Sequence, residues 1–108
     1  MDLQSKHCVP CEGGVAPFDE AKIKVYMPAL SLQWEVLGGK KISHQFKFKN
    51  FPEAIAFVDK IVPIAEAEGH HPDLHIYYNK VTVELWTHAI GGLSENDFIM
   101  AAKIEALQ

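Results

Sequence analysis

The sequence changes its rhythm at Asn50. Before it, Ile42, His44, Phe46 and Phe48 alternate with Ser43, Gln45, Lys47 and Lys49, the period of a strand with one dry face and one wet face. After it, Phe51, Ala54, Ile55, Val58, Ile61, Val62 and Ala65 recur at helical spacing, and Asn50 with Glu53 has the pattern of a capping box. A one-sided strand running directly into a one-sided helix is stable only when the two apolar faces cover each other. Gly69 suits a left-handed cap at the end of this helix, and Pro63 predicts a kink around residues 59–63.

The flanks repeat the pattern. Residues 18–30 predict a short helix, with Asp19 and Glu20 near its positive end and Pro28 to end or distort it. Residues 34–37 predict a strand that turns through a two-residue hairpin at Gly38-Gly39. Strands over 75–78 and 81–88 are expected to join at Asn79-Lys80. In the second, Val81, Val83 and Leu85 share one face, while Thr82, Glu84, Trp86 and His88 share the other. Ser94, with Asp97 three residues on, opens a last helix with Met100, Ala101, Ile104 and Leu107 on its apolar side. The expected order is α-β-β-α-β-β-α. This is an α+β fold with a four-stranded antiparallel sheet and three helices on one face, the other face being left to a ligand or a partner subunit. Residues 17–108 are expected to form one domain, and residues 1–16, interrupted by Pro10, Gly13 and Gly14, a flexible N-terminal arm.

At 108 residues there is room for one core, and a domain of this size gains from association. The net charge is −4, and Lys40-Lys41 is the only basic pair, so direct nucleic-acid binding is not expected. No apolar run has the length of a membrane span, and the first residues lack a signal-peptide core. The two cysteines, Cys8 and Cys11, are too close to staple a secreted fold, which points to the cytoplasm. They form a C-x-x-C, but zinc generally needs four ligands and no second cysteine pair follows. An accidental pair is preferred to a metal site.

Three of the six histidines bracket one region. His70-His71-Pro72-Asp73 lies between a helix end and a strand start, and His88 closes the neighbouring strand. Antiparallel pairing returns these points to one end of the sheet, with His88 on its open face. Pro72 confines His71 to extended conformations and so holds the two imidazoles in different directions. Trp34, Trp86, Tyr77 and Tyr78 are candidate aromatic walls. Histidines titrate near neutrality and can give and take protons in one cycle, and no G-x-S-x-G serine or partnered cysteine supplies a nucleophile. Two other readings stand beside acid–base chemistry: a metal site of His70, His71, His75 and His88, and merely polar histidines. Against the metal site, adjacent histidines rarely point at one ion and no H-E-x-x-H motif occurs. His44, on the apolar side of its strand, reads as a core-edge histidine with a hydrogen-bond partner.

Glu66-x-x-x-His70-His71-Pro72, Tyr78, Thr87-His88 and Gly92-Leu93-Ser94-x-x-Asp97 together resemble the signature of the pterin-4a-carbinolamine dehydratases. Trp34, Phe46-x-Phe48 and Ala54-x-x-Phe57 extend the resemblance over residues 17–107. It implies dehydration of 4a-hydroxytetrahydropterin to quinonoid dihydropterin, which regenerates the tetrahydrobiopterin used by aromatic amino-acid hydroxylases. The pterin is then the substrate, with no cofactor and no metal. The resemblance makes His70, His71 and His88 the catalytic, pterin-contacting histidines. Around them it places Glu66, Gly69, Pro72, Trp34, Trp86, Thr87, Ala89 and Asp97 as the residues that bind and shape the site. Glu66 either strengthens a neighbouring histidine as a base or is simply an exposed carboxylate. Pro63 and bulky Trp86 depart from the family pattern, and Trp86 bears on which pterin side chain is preferred. The resemblance also implies a homodimer or homotetramer and a protein partner, a hydroxylase or a transcription factor. A non-catalytic dimerisation scaffold is therefore the alternative reading.

Overall fold

In a computed structural model describing residues 1–10 and 15–108, the elements are α1 (Glu20–Tyr26), β1 (Glu35–Leu37), β2 (Lys41–Lys47), α2 (Phe51–Glu68), β3 (Asp73–Tyr77), β4 (Lys80–Leu85) and α3 (Glu95–Glu105). The strands form one antiparallel sheet in the order β1-β2-β4-β3. This is the expected order of elements. Ile42, Phe46, Val81, Val83 and Leu85 bury one face of the two central strands against Ala54, Phe57 and Ile61 of α2 and Phe98, Met100, Ala101 and Ile104 of α3.

Local chemistry sets the boundaries. Asp19 caps α1 by accepting from the Lys22 amide, and Pro28 lies in a 3-10 turn, Met27–Ala29, that follows it. Asn50 accepts from the Glu53 amide, while the Glu53 carboxylate reaches back to the Lys49 amide. The α2 helix continues through Pro63 and ends at Gly69, which takes φ +64°, a conformation in which a side chain is strained. The buried stripe of α2 is Ala54, Phe57, Ile61 and Ala65, whereas Phe51 and Val62 are 47% and 53% exposed. Both were expected on the stripe. Phe51 sits at the open first turn, and Val62 follows the buried Ile61 around the helix toward solvent.

Both hairpins differ in detail from the expected turns. Leu37 pairs with Lys41, so the first loop has three residues, with both glycines at positive φ. Tyr77 pairs with Lys80, so the second loop is Tyr78-Asn79, and Tyr78 takes the positive φ of +50°. Asn79 is committed elsewhere: its side-chain amide donates to the Phe48 carbonyl at 2.9 Å.

β4 ends at Leu85, three residues short of the expected His88. The β3–β4 ladder reaches only Asp73 opposite Glu84, because Pro72, the residue before Asp73, has no N–H to extend it, and Leu85 pairs with Ile42 of β2 alone among the strands. The chain instead turns through a 3-10 segment, His88–Ile90, closed by a bridge between Thr87 and Gly92.

The N-terminal segment, expected to be flexible, lies along the α2–α3 edge in its described residues. Leu3 is 2% exposed and joins the core. Lys103 donates to the Gln4 carbonyl at 2.8 Å, and Lys6 pairs with Glu95 at 3.1 Å. Cys11 lies outside the described residues.

Candidate active site

A cavity of about 600 Å³ opens where the end of α2, the start of β3, the segment after β4 and the N-terminal residues meet. It is lined by Gly69, His70, His71, Pro72, Trp86, Thr87, His88 and Ala89, all read from the sequence as site residues. The α2 cap at Gly69 delivers His70 and His71 to the lining. The 3-10 turn delivers His88 to it.

His70 is the most constrained imidazole. Its Nε2 lies 2.6 Å from Oδ1 of Asp97, whose side chain is 0% exposed. The other carboxylate oxygen of Asp97 accepts from the Thr87 hydroxyl and the Ser94 amide, each at 2.9 Å. The Ser94 hydroxyl is 2.8 Å from that of Thr87, and since the Thr87 proton is already given to Asp97, Ser94 donates to Thr87. A carboxylate only accepts, so Nε2 of His70 carries a proton and Nδ1 is the nitrogen left for a ligand. The Ser94–Asp97 capping box of α3 thus doubles as the support of a site histidine.

His71 and His88 are held more loosely. Nε2 of His71 lies 2.5 Å from Glu66, with both side chains largely exposed; such a pair orients a ring but adds little stability. The His88 ring stacks on Trp86, with centroids 3.8 Å apart and planes 25° apart. Trp86 is fixed in turn by donating its indole N–H to Asp73 at 3.0 Å, with the Lys41 ammonium 5.3 Å from its ring. The Trp86–His88 pair shares one side of the chain, as alternation predicts, although neither residue lies in the strand.

Three expected positions lie elsewhere. Trp34 is 3% exposed and packs in the core against His44 and Phe46, so it does not line the cavity: the short β1 strand begins after it and leaves its ring under the sheet edge. Tyr77 and Tyr78 sit exposed at the β3–β4 hairpin, away from the cavity. Nδ1 of His44 lies 2.9 Å from the Gln33 carbonyl, which is the core-edge role expected of it. Among the described residues, no group of three or more His, Cys, Asp or Glu is placed to hold a metal ion.

The cavity also has walls that the sequence reading did not assign: Cys8, Val9 and Pro10 from the N-terminal segment, with Glu68, Asp73 and Asn96. Glu68 accepts from the Cys8 amide at 2.7 Å and pairs with His7 at 2.9 Å. The Cys8 amide, then His7, hold its carboxyl below the usual carboxylate range. Burial, followed by the nearby Glu68 charge, pushes the Cys8 thiol up to about 12, so it stays protonated near neutrality and is a poor nucleophile. Spacing along the chain carries no sign of these contacts, which join residues about sixty to ninety apart.

The family model described as pterin 4 alpha carbinolamine dehydratase matches residues 16–107. The chain belongs to this family. It is 47% identical to a protein of Rickettsia canadensis over 96% of this chain and 95% of that one, and 50% identical to one of Nitrosospira multiformis over 98% and 92%. Both relatives are named for pterin-4-alpha-carbinolamine dehydratase. A solved structure titled as a transcriptional coactivator/pterin dehydratase from Brucella melitensis superposes with a TM-score of 0.78 at 35% identity, covering 84% of this chain and 97% of that chain. A pterin dehydratase-like protein described as a RuBisCO assembly factor in the alpha-carboxysome shares the fold, with a TM-score of 0.61 at 23% identity.

Proposed function

We propose that this pterin dehydratase family member eliminates water from 4a-hydroxytetrahydropterin to give quinonoid dihydropterin, in the cytoplasm, as a step in regenerating tetrahydrobiopterin. The observation that carries the reading is the buried His70–Asp97 pair at a cavity that His70 and His88 both line. With Nε2 engaged by Asp97, Nδ1 of His70 is the base that takes the proton from ring N5. The electron pair of that N–H bond forms the C4a=N5 double bond as the C4a–O bond breaks. His88 gives its proton to the departing hydroxyl, which leaves as water. Proton transfer by positioned groups of this kind is worth roughly 10²–10⁴-fold. His71, steadied by Glu66, orients the pterin, and backbone groups from Trp86 to Ala89 meet its polar edge. No cofactor or metal takes part, and the working form is a homodimer or homotetramer.

The test is the absorbance change of carbinolamine dehydration by purified protein. Turnover above the spontaneous rate, insensitive to chelator and lost in His70→Ala and His88→Ala, is the expected result. Unchanged turnover in His88→Ala removes that residue's role, and loss with chelator restores the metal reading. A second reading, a dimerisation scaffold for a transcription factor, has its support in the double title of the Brucella relative. A rate no higher than the spontaneous one favours it.

A further inference from the structure

The N-terminal segment is attached to the rest of the molecule by more than an acyclic chain needs, and the attachments converge on the cavity. Asn96 accepts from the Val9 amide at 3.1 Å through Oδ1 and donates to the Val9 carbonyl at 2.6 Å through Nδ2. One side chain thereby does for Val9 what a neighbouring strand would do. One residue earlier, the Cys8 amide donates to Glu68 at 2.7 Å. Leu3, in the core, holds the upstream end. The consequence is local: Cys8, Val9 and Pro10 face the cavity that holds His70 and His88, and Asn96 and Glu68 line it behind them. Val9 keeps most of its surface open to solvent despite both backbone groups being paired. A hydrophobic side chain on a doubly anchored backbone, left uncovered beside a ligand cavity, is a contact surface waiting for an apolar ligand group.

We propose that residues 8–10, clasped by Asn96 and Glu68, are a specificity-determining wall that packs Val9 and Pro10 against the pterin, with Asn96 as its positioning residue. This rests on the cavity being the pterin site. The wall supplies binding contacts equal in ground and transition state, and the hydrogen bond that holds His70 runs to Asp97, not to residues 8–10. Loosening it therefore raises KM far more than it lowers kcat. Because Val9 and Pro10 offer only apolar surface, the wall favours pterins carrying an apolar group at ring C6 over those bearing hydrogen there.

Two substitutions loosen the same segment from different ends. Asn96→Ala removes the clasp, and Leu3→Ala removes the core anchor. Each is expected to raise KM for the carbinolamine of 6-methyltetrahydropterin about tenfold, with kcat changed less than about twofold and the preference over the 6-unsubstituted carbinolamine reduced. Asn50→Ala, which uncaps α2 far from the cavity, controls for lost stability and is expected to leave KM unaltered. Binding of 6-methyl-7,8-dihydropterin, read by quenching of tryptophan fluorescence, gives the same comparison without turnover. Weaker binding in both arm variants upholds the wall even if the protein proves not to dehydrate. Unchanged KM and unchanged quenching in soluble, folded Asn96→Ala and Leu3→Ala overturn it, and so does an equal KM rise in Asn50→Ala. Failure of the wild-type protein both to dehydrate and to bind the dihydropterin overturns the site assignment itself.

Discussion

Asp97 serves three partners from one buried carboxylate: the His70 imidazole, the Thr87 hydroxyl and the Ser94 amide. Replacing it with asparagine keeps the volume but turns one oxygen into an NH₂ that faces donors. Asp97→Asn is expected to lower kcat by on the order of 10²-fold and to cost about 1–2 kcal/mol of stability, checked by dehydration kinetics and chemical denaturation. Its role as an N-terminal helix cap was legible from Ser94-x-x-Asp97, and its support of the site was implied by the family resemblance. The second oxygen's partner was not legible, because the approach of Gly69–His70 to α3 is a tertiary event. Trp34 shows the opposite failure. It matches the family pattern, yet its burial beside His44 and Phe46 makes it a core residue.

Helices were easier to read than the turns that aim the histidines. Asn50, Ser94 and Gly69 act where they were expected, because caps are decided by a few adjacent residues. The β3–β4 ladder stops at Asp73 opposite Glu84, just after Pro72, a limit that no local pattern in residues 81–88 reveals. Gly69 sets the direction in which the chain leaves α2. Gly69→Ala, strained at φ +64°, is expected to cost about 1 kcal/mol and to reduce turnover more than stability alone explains, since His70 is the next residue. The Tyr78 turn is a second strained point, at φ +50°. Asn tolerates this region better than an aromatic residue, so Tyr78→Asn is expected to raise unfolding free energy by roughly 0.5–1 kcal/mol without altering dehydration, read from denaturation midpoints.

At the scale of the molecule, two carboxylates tie the N-terminal segment down. Glu68 holds Cys8 and His7, with Lys103 3.8 Å away, and Glu95 holds Lys6 and the Tyr26 hydroxyl. Both carboxyls lie below their ordinary value, Glu68 chiefly through the Cys8 amide and Glu95 chiefly through Tyr26. In the unfolded chain they bind protons near the ordinary value of 4.5, and in the folded chain only at lower pH. Their contribution is thus complete above the unfolded value and is lost as pH falls through the folded one. Acidification below about 4.5 should expose residues 1–10 to faster amide exchange before the sheet opens. In Glu68→Gln that exchange should be faster already at neutral pH and should respond less to acid; an acid response equal to that of the unaltered protein would remove Glu68 from this role.

Asn96 and Asp97 are consecutive residues of α3, and successive side chains on a helix point about 100° apart. One direction reaches Val9, and the other reaches His70. The helix is in effect a spindle whose angular setting fixes both sides of the cavity at once. One residue inserted between Glu95 and Asn96 would leave α3 a helix but rotate it out of phase with its own cap. The arm and the imidazole would then lose their holds together, a coupling that single substitutions at either position cannot reproduce.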